Sequence, residues 1–378
     1  MRVLLLSAPF GTGHTRAARA VETALRRRYP EAETLVVDPL AAARPTLTRV
    51  VSGAYLQMLK RTPWAFRYLY EGAERPALAK MGRSEVGRLL FLAMSRQILS
   101  LNRQFRPDAI VCTHPFPLSV AANLRARGKL RAGLGAIITD FTAHPFWVTR
   151  GTDFYAIAAA GLEPELLAAG AAAEQVVVTG IPIAPGFDAP VDRRQVLERL
   201  GLTEGPLTIL AMGGGLGLGP MLDVVTALEG TGEGVQVIAV SGRNRNLRRQ
   251  LRQRLPQAGV PMAVLGYTQR VPELMAAADL LVSKPGGLTA AEALAARLPL
   301  CAVAPLPGHE ERNLDFLQRA GVLVTVDSAA ELANQVRALK RHPDRLAAMR
   351  ERAAELARPN AAAAVAEVIA QQIANRRG

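Results

Sequence analysis

Residues 1–25 read MRVLLLSAPFGTGHTRAARAVETAL, and this stretch decides which fold we expect. The apolar run at 3–6 leads into Gly11, Gly13 and His14, after which apolar residues recur every three or four positions. The run is typical of a buried strand and the recurrence of an amphipathic helix, so a glycine turn joins a strand to a helix. The N-terminus of such a helix commonly holds a phosphate group. The turn therefore indicates either a dinucleotide-binding site or a first strand–helix turn that serves another purpose.

The same alternation of apolar runs and helical patterns continues along the chain in two series. The further apolar runs are 34–37, 109–112 and 135–138 before residue 205, and 207–212, 235–240, 262–265, 280–283, 300–303 and 322–326 after it. Short buried strands separated by helices predict parallel sheets. We therefore expect an α/β protein with two doubly wound, Rossmann-like domains.

A segment rich in proline and glycine, GIPIAPGFDAPVDRR at 180–194, separates the two series and predicts the linker. It places an N-terminal domain at residues 1–185 and a C-terminal domain at residues 186–359. Pro359 interrupts the last helical pattern, and proline breaks or kinks a helix. Residues 360–378 are therefore expected to form a separate helix that can pack back on the first domain.

The composition is typical of a soluble globular protein, with 49% hydrophobic and 21% charged residues. We find no uncharged apolar run of about 18 residues and no secretion signal, so we expect a cytoplasmic protein. Cys112 and Cys301 lie in separate apolar runs, which predicts buried free thiols rather than a metal site. The formal net charge of +14 favours nucleic acid, an acidic membrane surface or phosphorylated substrates as partners, without choosing among them.

Residues 44–106 depart from the alternation of strands and helices. They contain twelve Lys or Arg and three Glu, with aromatic and long apolar residues interleaved, among them Tyr55, Trp64 and Leu89. Basic residues beside aromatic ones are typical of a helix that lies in a membrane interface. An ordinary amphipathic helix pair would give the same pattern, so both interpretations stay open at this point.

The first glycine turn does not match the dinucleotide fingerprint G-x-G-x-x-G, because Arg16 stands at the third glycine position. Asp38, after the second strand, keeps a nicotinamide interpretation open. His14 is expected to stay neutral, because the helix dipole disfavours an imidazolium at an N-terminus. A neutral imidazole at the mouth of a parallel sheet can take a proton from a hydroxyl, although a histidine that only caps the helix would look the same.

The stretch LTILAMGGGLGLGP at 207–220 places five glycines directly after a strand. This density lets backbone N–H groups approach a diphosphate closely. The lysine of a Walker loop is missing, which argues against ATP hydrolysis.

The stretch DLLVSKPGGLTAAEAL at 279–294 places Thr289 before a helix that carries Glu292. The Glu292 carboxylate, one turn into that helix, can accept hydrogen bonds from the two hydroxyls of a ribose. The T-x-x-E spacing of Thr289 and Glu292 is also that of a helix capping box. After the next strand, the turn APLPGHEERN at 304–313 clusters polar side chains that suit a hydroxyl-rich ligand such as a sugar.

Six segments in one order carry a resemblance to a known family: GTGHTRAARAVETAL, TDFTAHPFW, MGGGLGLGP, SGRNRNL, SKPGGLTAAEAL and PGHEERN. Together they resemble the family 28 glycosyltransferases that glycosylate diacylglycerol. These are the monogalactosyldiacylglycerol synthases of plants and the processive diacylglycerol glucosyltransferases of bacteria. The resemblance runs from Arg2 to about Gly321.

The resemblance implies the GT-B fold, in which two Rossmann-like domains face each other across a cleft and the C-terminal one holds a UDP-sugar. The residues that it assigns to this donor are Gly214, Gly215, Gly217, Ser241, Arg243, Asn244, Tyr267, Thr289, Glu292, Glu310, Glu311 and Asn313. The N-terminal domain would receive diacylglycerol or a glycolipid acceptor, with Gly13, His144 and Trp147 beside it. His14 would be the catalytic base, and Asp140 either the alternative base or the group that orients His14.

The hypothesis from these residues is inverting transfer of a hexose from UDP-glucose or UDP-galactose to diacylglycerol or a glycosyl-diacylglycerol. His309 and Leu216 stand where related enzymes usually carry Gln and, in plants, Glu, which leaves the donor sugar open. We expect no cofactor, no metal and no nucleic-acid partner, and peripheral attachment to the anionic inner face of the cell membrane. The alternatives are transfer to a polyprenyl-linked or other lipid, a UDP-sugar 2-epimerase and a nucleic-acid-binding protein.

Overall fold

The structure is a computed structural model that describes residues 1–8, 12–43, 85–217, 219–305 and 308–377. Residues 44–84 of the basic and aromatic region, and Gly11 of the first turn, therefore lie outside the described residues. Among the residues described, none of the helices combines the length and the apolar character that crossing a bilayer requires.

The strands within these ranges form two sheets in which every paired neighbour is parallel. The first sheet contains β1 (Arg2–Leu6), β2 (Glu33–Val37), β3 (Ala109–Cys112), β4 (Gly133–Ile137), β5 (Phe154–Ile157) and β6 (Val176–Val178). The second contains β7 (Leu207–Met212), β8 (Val235–Val240), β9 (Met262–Leu265), β10 (Leu280–Ser283), β11 (Leu300–Val303) and β12 (Leu323–Val326). The strand orders are β2-β1-β3-β4-β5-β6 and β12-β11-β10-β7-β8-β9.

Helices follow most of these strands. Those of the N-terminal part and the C-terminal tail are α1 (Gly13–Arg28), α2 (Pro39–Ala43), α3 (Glu85–Phe105), α4 (Pro115–Ala126), α5 (Glu163–Ala168) and α14 (Ala361–Asn375). The others are α6 (Arg193–Arg199), α7 (Met221–Glu229), α8 (Arg245–Arg254), α9 (Val271–Ala277), α10 (Gly287–Ala295), α11 (His309–Arg319), α12 (Ala329–Arg341) and α13 (Pro343–Leu356).

The chain divides into two compact units, consisting mainly of residues 1–184 with 360–378 and of residues 185–306 with 310–359. In the first unit, α14 packs against α1, and Val365 and Ile369 share a core with Val21 and Leu25. Each such side chain contributes about 1.5–3 kcal/mol when it is fully buried. Buried apolar side chains thus hold the C-terminal helix α14 against the first unit.

Helices on both faces bury β3, β4, β5, β8, β10 and β11 along their whole length. This burial is why those strands read as nearly continuous apolar runs rather than as alternating ones. The predicted fold class is confirmed, and so is the break at Pro359, which lies between the end of α13 and the start of α14. The strand β6 was not predicted, because it is only three residues long and partly exposed. The strand β5 was also missed, although its four residues are all buried.

Each strand order reverses direction once, between β1 and β3 and between β7 and β10. In an open parallel sheet, the loops at the carboxyl ends of the strands diverge at such a reversal and leave room for a ligand. The two glycine turns that the sequence singled out follow β1 and β7, so each unit places one of them at its reversal point.

Asp38 has a structural role at the carboxyl end of β2. Its Oδ1 accepts hydrogen bonds from the backbone N–H groups of Leu40 and Ala41, at 2.9 and 3.1 Å, and so caps α2. The nicotinamide interpretation that rested on this carboxylate loses its support, because Oδ1 already satisfies the helix N-terminus.

Candidate active site

In the first unit, three strand ends meet at His14. This residue lies in the first turn of α1, and its Nδ1 is 2.7 Å from the carbonyl oxygen of Thr113 and 2.9 Å from the hydroxyl oxygen of Thr139. Thr113 follows β3 and Thr139 comes shortly after β4, while α1 follows β1. The imidazole is therefore held at the reversal point of the sheet by contacts between residues that lie far apart in the sequence.

Burial lowers the pKa of His14 below its ordinary value, against the opposing effects of the nearby Asp140 carboxylate and of the hydrogen bond to Thr113. A histidine with a lowered pKa is neutral at neutral pH and has one ring nitrogen that can accept a proton. Asp140 therefore acts on His14 electrostatically. The arrangement has the chemistry of a general base beside a carboxylate.

A second histidine, His114, packs against His14 with ring centroids 4.8 Å apart and an angle of 81° between the rings. Its Nδ1 accepts a hydrogen bond from the backbone N–H of Phe116 at 3.1 Å and so caps α4. Burial, followed by the proximity of His14, lowers the pKa of His114 well below its ordinary value. Two adjoining imidazoles in this environment are both favoured in the neutral form.

The stability of the first unit is expected to depend on pH through these two histidines. Because each pKa is lower in the folded than in the unfolded chain, the unfolded chain binds protons first as the pH falls below about 6.5. The free energy of unfolding should then fall by up to about 1.4 kcal/mol per pH unit for each histidine. Urea unfolding at pH 7.5 and 5.5, followed by the fluorescence of Trp147 and Trp64, measures this unit, because the chain has 2 tryptophans and both precede residue 185.

His114→Asn supplies the control for that measurement. Asparagine also caps a helix but does not titrate, so this variant should lose less stability between the two pH values than the native chain does. An equal loss in both proteins would contradict the assignment to His114.

The loop after β4 is held by Glu165 of α5, whose Oε2 accepts hydrogen bonds from the backbone N–H of Ala143 at 2.7 Å and from the hydroxyl of Thr142 at 3.2 Å. His144 is buried, and its Nδ1 accepts a hydrogen bond from the N–H of Phe146 at 3.2 Å. Trp147 is only 4% exposed and so offers little surface to an acceptor. Gly13 is the first residue of α1. The acceptor roles of Gly13, His144 and Trp147 stay predictions.

In the second unit, the glycine loop after β7 interlocks with the turn after β8. The N–H of Arg243 donates to the carbonyl of Gly215 at 3.1 Å, and the side chain of Asn244 donates to the carbonyl of Gly217 at 3.1 Å. Gly214, Gly217 and Gly242 have positive φ angles of 69°, 61° and 56°. At Gly217 and Gly242 an added Cβ would collide with backbone oxygens of the other segment, so the absence of a Cβ at these two positions lets the two backbones approach closely enough for these bonds.

Side chains around this loop serve as its supports. Ser241 is buried and donates to the carbonyl of Leu265 at 3.0 Å, while the Oδ1 of Asn244 accepts from Leu247 N at 3.0 Å and caps α8. The Arg243 guanidinium lies 4.9 Å from the ring centroid of Tyr267, a cation–π arrangement on a ring that is 53% exposed. An exposed ring beside the glycine loop is suited to a planar base.

Lys284 connects the turn after β10 to α11, a link that the sequence did not suggest. Its Nζ lies 2.9 Å from Oε1 of Glu310, and the two side chains are 14% and 7% exposed. Its aliphatic stem passes Gly219, where an added Cβ would lie 3.6 Å from the lysine Cδ. The buried Asn313 donates to the carbonyl of Pro285 at 3.1 Å and holds α11 to the same turn. The glycine loop after β7, the ammonium of Lys284 and the acidic first turn of α11 therefore lie close together.

The helix α10 differs from the expectation at its start. Thr289 was expected to precede the helix, with a capping box between Thr289 and Glu292 as an alternative interpretation of the spacing, but the helix begins at Gly287 with Gly286 as its N-cap. Thr289 is thus the third residue of α10, and the capping-box interpretation is wrong. Glu292 is fully buried inside the helix, and Glu311 is partly exposed in the first turn of α11.

Within the described ranges, no group of three or more His, Cys, Asp or Glu side chains has the arrangement of a metal site. Both cysteines are buried, and burial raises the pKa of Cys301 to about 12. The expectation that catalysis needs no metal stays a prediction.

Comparison with known families matches both units. Residues 14–183 match monogalactosyldiacylglycerol (MGDG) synthase, and residues 208–368 match the glycosyltransferase family 28 C-terminal domain. The chain belongs to glycosyltransferase family 28. The family that the six sequence segments indicated is thereby confirmed.

Curated relatives of this family 28 chain align over nearly its whole length. A processive diacylglycerol beta-glucosyltransferase of Bacillus cytotoxicus is 26% identical over 374 residues, which cover 98% of this chain and 94% of the relative. The enzyme of the same name from Staphylococcus carnosus is 28% identical over 359 residues, which cover 94% and 88%.

Solved structures confirm the GT-B fold. MurG of Acinetobacter baumannii has a TM-score of 0.65 at 20% identity, with 98% of this chain and 99% of that chain covered. The UDP-glucose complex of Anabaena HepE has a TM-score of 0.55 at 17% identity, with 100% and 99% covered. The UDP-GlcNAc 2-epimerase of Neisseria meningitidis reaches 0.61 at 14% identity, with 99% and 100% covered. At these identities the likeness concerns the fold alone.

Sequence reasoning missed four residues of this family 28 site: Thr113, His114, Thr139 and Lys284. Thr139 and Lys284 lie inside quoted segments but were not singled out, and Thr113 and His114 follow the strand predicted at 109–112. The importance of each comes from a partner 26 to 125 positions away. The only local signal was position, because each stands just after the carboxyl end of a buried strand.

Proposed function

We propose that the chain transfers a hexose, glucose or galactose, from a UDP-sugar to the hydroxyl of diacylglycerol or of a glycosyl-diacylglycerol, with inversion at the anomeric carbon. The observation that carries the proposal is the match of residues 14–183 to MGDG synthase, because this unit is the one that would receive the acceptor. The processive diacylglycerol beta-glucosyltransferases that align with both units give the same acceptor class.

The second unit would hold the donor. The backbone N–H groups of the loop that contains Gly214, Gly215 and Gly217 and the N-terminus of α10 would face the diphosphate, since both present donors and a positive dipole end. Tyr267 would flank the uracil, Glu292 would take the ribose hydroxyls, and Glu310 would contact the sugar. The neighbouring Thr289, Glu311 and Asn313 complete the proposed donor contacts. Ser241, Arg243 and Asn244 would act mainly by supporting the loop.

The first unit would supply the base. Nε2 of His14 would accept the proton of the acceptor hydroxyl as its oxygen bonds to the anomeric carbon and the bond from that carbon to UDP breaks. The Asp140 carboxylate would stabilise the imidazolium that forms, because opposite charges at close range favour the charged form. In this proposal His14 rather than Asp140 is the base.

The proposed role of Lys284 in donor binding can be tested by substitution. Lys284→Met is expected to lower kcat/KM for the UDP-sugar by at least about tenfold, because it removes a cation beside the glycine loop and the ammonium partner of Glu310. Steady-state kinetics at varied UDP-sugar measure the effect. Lys340→Met, the same change on the exposed surface of α12, is the matched control and should leave kcat/KM unchanged. Equal kinetics of the two variants would contradict the donor role of Lys284.

We further propose that α3 contacts an anionic membrane surface from the cytoplasmic side. Leu89 and Leu92 are 61% and 46% exposed, and Arg88 and Arg96 are exposed near them at spacings of three or four residues along one helix face. Exposed leucines between arginines suit an interface of acyl chains and anionic headgroups.

The double variant Leu89→Ser, Leu92→Ser is expected to bind vesicles of phosphatidylglycerol and phosphatidylcholine at least about tenfold more weakly, since each inserted leucine contributes on the order of 1–2 kcal/mol. Co-sedimentation at low salt measures the bound fraction. Leu167→Ser, an exposed leucine of α5, is the control. Unchanged binding of the double variant would exclude α3 as the contact.

The proposed function is tested by incubating the protein with radiolabelled UDP-glucose or UDP-galactose and vesicles that contain diacylglycerol, a glucosyl-diacylglycerol or a polyprenyl phosphate. Thin-layer chromatography of the organic phase then identifies the product. We expect label in a glycosyl-diacylglycerol from one of the two donors. Label only in the polyprenyl lipid, or conversion of the UDP-sugar to an epimer without lipid labelling, would overturn the proposal in favour of those alternatives. Thermal protection by an oligonucleotide but not by UDP would favour a nucleic-acid-binding protein.

A further inference from the structure

Two oxygen atoms face the same nitrogen of His14. The carbonyl oxygen of Thr113 lies 2.7 Å from Nδ1, and the hydroxyl oxygen of Thr139 lies 2.9 Å from it. Both threonines are buried, so neither contact is an exposed surface interaction. The question is which ring nitrogen carries the hydrogen.

The carbonyl decides the tautomer, because a carbonyl oxygen can only accept a hydrogen bond. Nδ1 of His14 must therefore carry the hydrogen and donate it to Thr113. The Thr139 oxygen can then also only accept from this N–H, which is shared between the two oxygens. In a neutral imidazole with its hydrogen on Nδ1, the lone pair is on Nε2.

The neighbouring histidine has the opposite tautomer. Nδ1 of His114 accepts from Phe116 N, so the neutral His114 ring carries its hydrogen on Nε2. Its ring stands at 81° to that of His14 and limits rotation of the His14 ring. The plane of His14 is thus fixed by the contact between the two rings and by the contacts at Nδ1.

We infer that Thr139 is a positioning residue that acts with the Thr113 carbonyl to hold His14 with Nε2 as its only basic nitrogen. The use of that nitrogen as the catalytic base rests on the proposed function. When Nε2 takes a proton, the positive charge spreads to Nδ1–H, and the two oxygens that accept from it stabilise the charged ring. Thr139 therefore raises the basicity of His14 as well as orienting it.

The tautomer is measured without substrate. In protein labelled with ¹⁵N-histidine, a long-range ¹H–¹⁵N correlation spectrum distinguishes a protonated Nδ1 from a protonated Nε2, and the absence of the signal in His14→Gln assigns His14 among the 5 histidines. We expect Nδ1–H for His14 at pH 7.5. A protonated Nε2 in the native chain would overturn the inference, whether or not any variant folds.

The contribution of Thr139 is measured with Thr139→Val, which keeps the shape but removes the oxygen. We expect kcat to fall about tenfold with KM for the UDP-sugar unchanged, and the acidic limb of the kcat–pH profile to move to lower pH, since the charged ring loses an acceptor. Thr139→Ser should restore both values. Thr152→Val is the matched control, because this buried threonine of the same unit bonds to the hydroxyl of Thr149 at 2.9 Å.

A Thr139→Val enzyme with native kcat and a native pH profile would overturn the positioning role. A loss of kcat that Thr152→Val reproduces, with no movement of the pH limb, would do the same, since it would reflect stability alone. The two proposals fail separately: a native chain that transfers no sugar contradicts the proposed function, whereas the spectrum of His14 still tests the tautomer.

Discussion

His14→Gln is expected to lower kcat for sugar transfer by about 10²–10⁴-fold while the affinity for UDP stays unchanged. Glutamine can occupy the site and donate to the Thr113 carbonyl, but its amide cannot accept a proton at neutral pH. The glycine loop proposed for UDP belongs to the other unit, so the loss should concern the chemical step. Kinetics at saturating donor and calorimetry with UDP measure the two quantities.

His342→Gln is the matched control for this variant, because His342 is exposed between α12 and α13 and should tolerate the change. Native-like turnover of His14→Gln would remove His14 from the mechanism. Asp140→Asn separates the two candidate bases. If Asp140 only stabilises the charged imidazole, its loss moves the acidic limb of kcat to lower pH; if Asp140 is the base, Asp140→Asn abolishes turnover and His14→Gln does not.

Gly217→Ala is expected to weaken UDP binding by at least about tenfold, which corresponds to about 1.4 kcal/mol. A Cβ at this position would overlap the carbonyl oxygen of Ser241 and come within 2.9 Å of the Cβ of Asn244. It would also strain a φ of 61°. Because the obstruction is backbone, the loop must move away from the turn after β8, and the N–H groups proposed for the diphosphate move with it.

Gly232→Ala is the matched control, since its φ of 83° is equally strained but the space around its Cβ is open. It should lose about 1 kcal/mol of stability without any change in the dissociation constant for UDP. Isothermal titration with UDP measures both variants. Equal UDP affinity of Gly217→Ala and the native chain would contradict the assignment of the diphosphate to this loop.

Most of the fold could be predicted from the sequence because a strand that is buried on both faces is a short run of apolar residues, which is a local pattern. Val235–Val240 and Leu280–Ser283, for example, are apolar at every position but the polar Gln236 and the terminal Ser283, and the helices between strands repeat at their own period. The strand β6 was missed because a run of only three partly exposed valines is a weaker pattern. The start of α10 was misplaced by three residues because its N-cap is Gly286 rather than Thr289, and a glycine has no side chain to reveal a cap.

The sequence by itself determined the two parallel-sheet units, the family and the places of His14 and the glycine loop, because these features lie within short continuous segments. Only the tertiary structure decided which groups act on them: Thr113 and Thr139 on the imidazole, Ser241 and Asn244 against Gly217, and Lys284 on Glu310. The physical reason is the order of the strands. Parallel strands bring their carboxyl ends to one edge, and which ends become neighbours depends on how the whole sheet is wound, which no local pattern encodes.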